Sequence, residues 1–225
     1  MAEAVAVIVG VGPGLGWALA ERFAHGGLRV AAAARNLDKV ARLVNSGDAS
    51  NIKPYSCDAT APAAVQALFA AVEADLGRPE VVVYNASGFG RASVLDVTPE
   101  DFEQSWRVGC MGGFLVGQAA ARAMLAAGGT ILFTGATASL RGSANFVKLA
   151  VPKFGLRALA QSMARELGPR GIHVAHIIID GHISPDSAGT TLTPKAIAET
   201  YWQLYRQPRD TWTQELDLRP AVEKF

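Results

Sequence analysis

The chain has 225 residues, half of them hydrophobic and 18% charged, with 21 basic against 20 acidic side chains. That length suits one domain with a substantial core, and the near-zero net charge gives no basis for binding nucleic acid or an anionic membrane. The longest uncharged run, Ala4–Ala20, is broken by four glycines and Pro13, so it reads as neither a membrane span nor a secretory leader.

The chain opens with Val5–Val9, an apolar and mostly β-branched run that suits a strand buried on both faces of a parallel sheet. Gly10, Gly12, Gly14 and Gly16 follow, then a helix with Trp17, Ala20, Phe23 and Ala24 along one side. A strand, a glycine turn and a helix whose first N–H groups stay free make an anion seat, the opening unit of a dinucleotide-binding fold. Leu28–Ala33 is predicted as the second strand, followed by a helix from Ala34-Arg35-Asn36 to about Val44. Ile52–Ser56 is the third strand and ends at Cys57-Asp58. Thr60 is placed to cap the next helix, with Pro62 in its first turn and Val65, Leu68, Phe69, Val72 and Leu76 at helical spacing. Cys57 and Cys110 show no metal-ligand spacing and read as buried free thiols in a reducing cytoplasm.

Pro79–Tyr84 is the fourth strand and runs into Asn85-Ala86-Ser87-Gly88. Thr98-Pro99-Glu100-Asp101 starts a long helix to about Ala126, with cap, first-turn proline and acidic residues at its positive end. Along it Phe102, Trp106, Gly109, Gly113, Gly117 and Ala120 form a stripe, a flat face expected to pack against another helix. Gly129–Thr134 is the fifth strand, and a helix from about Asn145 to Leu167 ends at Gly168-Pro169. Ile172–Ile179 is the sixth strand. Thr193-Pro194 opens a last helix through Tyr205, and Trp212–Leu218 alternates enough for a seventh, edge strand. The expected architecture over residues 1–225 is a single α/β, Rossmann-like, doubly wound domain with a mostly parallel seven-stranded sheet.

Several of these segments, in order and over nearly the whole chain, resemble the short-chain dehydrogenase/reductase family. The family's Thr-Gly-x-x-x-Gly-x-Gly turn matches Val9-Gly10 through Gly14-Leu15-Gly16, with Val9 in place of the threonine. Asp58 matches the acidic residue closing the third strand, Asn85-Ala86-Ser87 the Asn-Ala-Gly after the fourth, Lys153 the lysine of the long helix, and Asp180-Gly181 the Pro-Gly after the sixth strand. The resemblance implies that Gly10, Gly14, Leu15 and Gly16 line the pyrophosphate and the nicotinamide edge. Asp58 and Ala59 would hold adenine, Asn85 and Ala86 the adenosine ribose region, Gly181 and Ile183 the carboxamide, and Lys153 the nicotinamide ribose. The carboxylate that pairs with the 2′-hydroxyl of NAD is replaced by Ala34, and Arg35 follows where a guanidinium can grip a 2′-phosphate, so NADP(H) is favoured over NAD(H).

The catalytic set departs from the family. Four residues before Lys153, where the family has its proton-exchanging tyrosine, stands Leu149. Ala136 takes the place of the serine, with Thr137 beside it, and Gly109 that of the helix asparagine. Lys153 and Thr137 are therefore the candidate catalytic residues, with Ser139 and His182 as further polar groups near the same strand ends. Two functions stay open. One is an NADP(H)-dependent oxidoreductase acting on a small carbonyl or alcohol with a non-standard proton donor. The other is a catalytically silent cofactor-binding protein serving as sensor, partner subunit or non-redox catalyst. The family commonly assembles through the long helix and the one bearing Lys153, which implies a homodimer or homotetramer and assigns the Gly109–Gly117 stripe to that surface.

Overall fold

In the computed structural model, residues 3–46, 50–88, 90–186 and 189–222 are described. They form one parallel seven-stranded sheet in the order β3-β2-β1-β4-β5-β6-β7. The strands are β1 (Val5–Val9), β2 (Arg29–Ala34), β3 (Ile52–Ser56), β4 (Pro79–Tyr84), β5 (Gly129–Thr134), β6 (Ile172–Ile179) and β7 (Glu215–Leu218). The helices are α1 (Leu15–His25), α2 (Leu37–Ser46), α3 (Pro62–Asp75), α4 (Pro99–Trp106), α5 (Gly112–Met124), α6 (Val147–Leu167) and α7 (Pro194–Tyr205). Among the described helices none is long and apolar enough to cross a membrane.

The apolar run of β1 has a simple cause: both its faces are buried. Val5, Val7 and Val9 point to one face, with Val65, Leu68 and Phe69 of α3, Val116 and Met124 of α5 and Leu156 of α6. Ala6 and Ile8 point to the other, with Leu19 and Phe23 of α1 and Ile197 and Tyr201 of α7. Alternation of Cβ direction along a strand then demands apolar residues at every position. Strand β1 pairs with β2 on one side (Val7 opposite Ala31) and with β4 on the other (Val7 opposite Val82). The chain therefore reverses its winding at β1 and leaves a crevice beyond the carboxyl ends of β1 and β4.

Four expectations are corrected. The glycine stripe packs closely against another helix, as expected, but that helix is α6 of the same domain, so the stripe is not an outer face. A Cβ at Gly109 would lie 2.6 Å from Pro152 Cβ, one at Gly112 would strike the Tyr84 hydroxyl, one at Gly113 Leu156, and one at Gly117 would lie 2.9 Å from the ring of Phe133. The long helix is not uniform. A π turn over Arg107–Met111 joins α4 to α5, and within it the Val108 carbonyl accepts the Tyr84 hydroxyl. Thr60 does not cap α3. Ala61 holds that position, and the Thr60 hydroxyl donates to Asp58 instead. Strand β7 starts at Glu215, because Arg209–Thr211 coil into a 3₁₀ turn and Trp212 stacks on His173 with ring centroids 5.0 Å apart. Thr98 and Thr193 do cap α4 and α7, accepting from the Asp101 and Ala196 amides. Both cysteines are free, Cys57 buried and Cys110 half-buried.

Candidate active site

Two cavities lie along the carboxyl ends of the strands, and they share Asn85 and Ser87. The first, about 320 Å³, is lined by Gly10, Gly12, Arg35, Asp58, Ala59, Asn85 and Ala86 among others. The glycines there do two different jobs. Gly10 has φ +98°, and a Cβ on it would lie 2.4 Å from the Ala86 amide, while one on Gly16 would lie 2.5 Å from the Gly10 carbonyl. These two let the strand, turn and helix close on each other. Gly12 and Gly14 have nothing within 4 Å of where a Cβ would stand. They keep a cradle open before the N-terminus of α1, which has no side-chain cap and no acid in its first turn. Unfilled amides at the positive end of a helix, facing an open cradle, suit a phosphate group. The Asn85 amide braces the turn by donating to the Gly10 carbonyl at 3.0 Å.

Arg35 follows the last residue of β2, exposed, with no hydrogen bond or ion pair among the described residues. Its charge reaches Asp58 across the cavity, but the carboxyl of Asp58 is held below its ordinary range chiefly by the amide and hydroxyl of Thr60. The guanidinium is thus left for an anion from outside. These residues fit a nicotinamide dinucleotide.

The second cavity, about 510 Å³, is mostly apolar, with Leu15, Phe146, Leu149, Ile179 and Ile183 in its wall and Gly181 beside them. Lys153 and Thr137 both line it. Lys153 is 3% exposed, and its ammonium donates to the Thr134 carbonyl at 2.7 Å. Burial lowers its pKa to about 8. Leu149, one turn earlier, offers only hydrocarbon. The Thr137 hydroxyl donates to Asp180, whose second oxygen meets the Arg219 guanidinium at 2.8 Å. Asp180 is the residue that sequence reasoning missed, since it served there only as a stand-in for the proline of Pro-Gly. A buried acid closing an apolar strand was the available signal.

Ser139 is not available to a ligand. It is fully buried, accepts the Ala136 amide at 3.1 Å and lies 3.3 Å from His176 Nε2. His176 Nδ1 is 3.2 Å from Glu215, which in turn holds Arg157 through two bonds of 2.7 Å. A carboxylate only accepts, so the imidazole proton sits on Nδ1 and Nε2 takes the Ser139 hydroxyl. This chain fixes the turn after β5 from below. His182 lies on the surface and does not line the cavity. Residues 187 and 188, between β6 and α7, lie outside the described residues.

A doubly wound sheet with a glycine cradle, a free cation after its second strand and a buried lysine beside an apolar cavity defines a nicotinamide-nucleotide-binding domain of the dehydrogenase class. A family model described as enoyl-(acyl carrier protein) reductase matches residues 10–215. D-threitol dehydrogenase of Mycolicibacterium smegmatis is 32% identical over 196 residues, 85% of this chain and 73% of that protein. A short-chain dehydrogenase from Rhodopseudomonas palustris superposes with a TM-score of 0.88 at 42% identity, over 97% of this chain and 99% of the other. A metagenomic short-chain oxidoreductase in complex with NADP gives 0.84 at 25% identity, over 99% of both chains. The chain belongs to the short-chain dehydrogenase/reductase family.

The buried imidazole makes a measurable prediction. Burial, assisted by the charges of Lys153 and Arg157, outweighs Glu215 and pushes His176 down to about 4. The unfolded chain, with an ordinary histidine, therefore binds more protons between pH 6.5 and 4, and stability falls as pH drops through that window. His173, also shifted downward by burial, acts in the same direction. His176 alone is expected to remove about 2 kcal/mol between pH 7 and pH 5. In urea unfolding across that range, His176→Gln should lose this share of the slope and keep that of His173. An unchanged slope would mean that His176 is not buried neutral.

Proposed function

We propose that the chain is an NADP(H)-dependent oxidoreductase for a small carbonyl compound or alcohol, with Thr137 as the group that exchanges the substrate proton. The observation that carries this is one shared cavity. Thr137, whose hydroxyl is held by buried Asp180, and Lys153 both line an apolar pocket that shares Asn85 and Ser87 with the nucleotide groove. The dehydrogenase activity named for the Mycolicibacterium relative and the NADP bound by the metagenomic one support the same class of chemistry. An apolar pocket with few fixed polar groups is also what a small organic substrate requires.

When bound, the nicotinamide supplies or accepts hydride. The protein's part is binding and proton movement. Gly10, Gly14, Leu15 and Gly16 form the cradle for the pyrophosphate, Asp58, Ala59, Asn85 and Ala86 take the adenosine half, and Gly181 and Ile183 stand by the nicotinamide end. Arg35 grips the 2′-phosphate. Lys153 keeps donors beyond the one given to Thr134, suited to ribose hydroxyls, and places a positive charge beside developing negative charge on the substrate oxygen. In alcohol oxidation the substrate hydroxyl gives its proton to Thr137 Oγ1 as Thr137 gives its own to Asp180. In carbonyl reduction the same protons return.

The oligomeric part rests on exposed apolar side chains of the same two helices and not on the glycine stripe. Phe114 on α5 and Val151 and Phe154 on α6 are 39%, 41% and 43% exposed. Phe114 lines a groove between the two helices with Leu159, Met163 and Leu167, and Gln118, Ser162 and Glu166 at its polar positions. Such apolar surface supports a homodimer or homotetramer built on these two helices, and a monomer mass by light scattering at micromolar concentration would contradict it.

Cofactor choice is the most accessible test. NADPH should bind about ten- to a hundredfold more tightly than NADH, because a charge-assisted guanidinium–phosphate contact is worth about 1.5–3 kcal/mol. Arg35→Ala should erase most of that ratio by weakening NADPH and sparing NADH. Equal dissociation constants in the unmodified protein, or a ratio that survives the substitution, would overturn the assignment.

A further inference from the structure

The substrate cavity has a consistent sign. Its charged lining residues are Lys153 and Arg141, and no aspartate or glutamate lines it. Asp180 stands behind Thr137, occupied by that hydroxyl and by Arg219. Arg141 sits on the turn after β5, where its backbone amide donates to the Thr137 carbonyl at 3.2 Å. The start of its side chain is thereby tied to the proposed proton-exchanging residue. Its guanidinium, in contrast, has no hydrogen bond, ion pair or ring contact among the described residues, although seven other arginine or lysine side chains do form ion pairs with carboxylates. Ser143 and Ser87, which also line the cavity, likewise have hydroxyls with no hydrogen-bond partner among the described residues. A second cation, Arg91, lies 4.9 Å over the ring of Phe146, which also lines the cavity.

An apolar wall with one unpaired guanidinium and two free hydroxyls describes a site for an organic anion with a hydrocarbon body. We propose that Arg141 docks a carboxylate of the substrate, so that the oxidoreductase acts on oxo acids or hydroxy acids rather than on neutral ketones or polyols. The planar fork of arginine matches a carboxylate through two parallel hydrogen bonds, which fixes direction as well as position. Ser143 can donate a further bond to the same group. Leu15, Phe146, Leu149, Ile179 and Ile183 then cover the carbon chain, and the substrate oxygen is directed toward Thr137 and Lys153. Leu149 gains a purpose in this arrangement. A tyrosine at that position would put a second polar group into the wall that covers the hydrocarbon.

This inference rests on the proposed function for its chemistry, but it is tested by binding alone. Protein saturated with NADP+, which cannot reduce them, is titrated with a series of unbranched 2-oxo acids and with their methyl esters, following the change in tryptophan fluorescence. The ester keeps the carbonyl and the chain and removes the charge. At least one acid is expected to bind about tenfold or more tightly than its ester. Arg141→Gln should bring the two together by weakening the acid, Arg141→Lys should restore part of the difference, and the affinity for NADPH should stay unchanged in both. Acids and esters that bind equally, acids that all fail to bind, or a difference that survives Arg141→Gln would overturn the proposal. A fall in NADPH affinity in Arg141→Gln would reassign the guanidinium to the cofactor. Failure of the oxidoreductase reading looks different: acids would bind through Arg141 with no turnover, or NADPH would not bind at all.

Discussion

The buried ammonium of Lys153 is the feature around which the site is built. Removing a cation from water costs several kcal/mol unless it is paired. Here its partner among the described residues is a backbone carbonyl, that of Thr134, with no carboxylate beside it. The protein meets that cost by fixing the carbonyl. Thr134 also accepts the Tyr201 hydroxyl at 2.8 Å through its own side chain, the Gly135 amide donates to the Ile177 carbonyl, and the His176 ring packs where a Cβ on Gly135 would stand. The end of β5 is thus held from α6, α7 and β6 together. That rigidity passes directly to Thr137, and from Thr137 to the wall of the cavity.

Loss of the tyrosine alters what this rigid end must do. With Leu149 in its place, the lysine has no phenol to acidify, and in the proposed mechanism its remaining donors serve the cofactor ribose and the substrate oxygen. In the proposed mechanism the proton path runs instead through Thr137 and Asp180. Asp180, where the family has proline, brings a carboxylate to the end of β6, and Arg219 and Thr137 hold it there. On that proposal the residues at 149 and 180 complement one another: Leu149 offers no proton donor on α6, and Asp180 stands behind the Thr137 hydroxyl on the turn after β5. Gly109 belongs to neither. Its missing side chain is accounted for by Pro152, which lies where a Cβ would stand.

Much of this was legible before any coordinates. Strand β1 and the centres of β4 and β5 announce themselves because burial on both faces keeps them apolar. The caps at Thr98 and Thr193 follow from local chemistry that tertiary contacts do not override. What sequence could not supply was the identity of long-range neighbours. A run of glycines signals that something comes close, and only the fold reveals that Pro152, Tyr84 and Leu156 are what come close, not another subunit. Thr137 and Asp180 are 43 positions apart, so nothing local marks them as partners. Ser139, a plausible hydroxyl on paper, points inward because His176 draws it there. Arg141 carries no motif, and its interest comes from the absence of carboxylates around it in the cavity.

The central claim is that hydride chemistry survives without the tyrosine because Thr137 exchanges the proton. The most direct measurement uses NADPH carrying deuterium at the nicotinamide C4, mixed with the protein and oxo acid substrates, with the product analysed by mass spectrometry. The account predicts deuterium on the new carbinol carbon. It further predicts a transfer rate lowered about 10²–10⁴-fold in Thr137→Val, largely retained in Thr137→Ser, and unchanged affinity for NADPH in both. Cofactor that binds but delivers no deuterium, or a valine variant that transfers as fast as the unmodified protein, would contradict it.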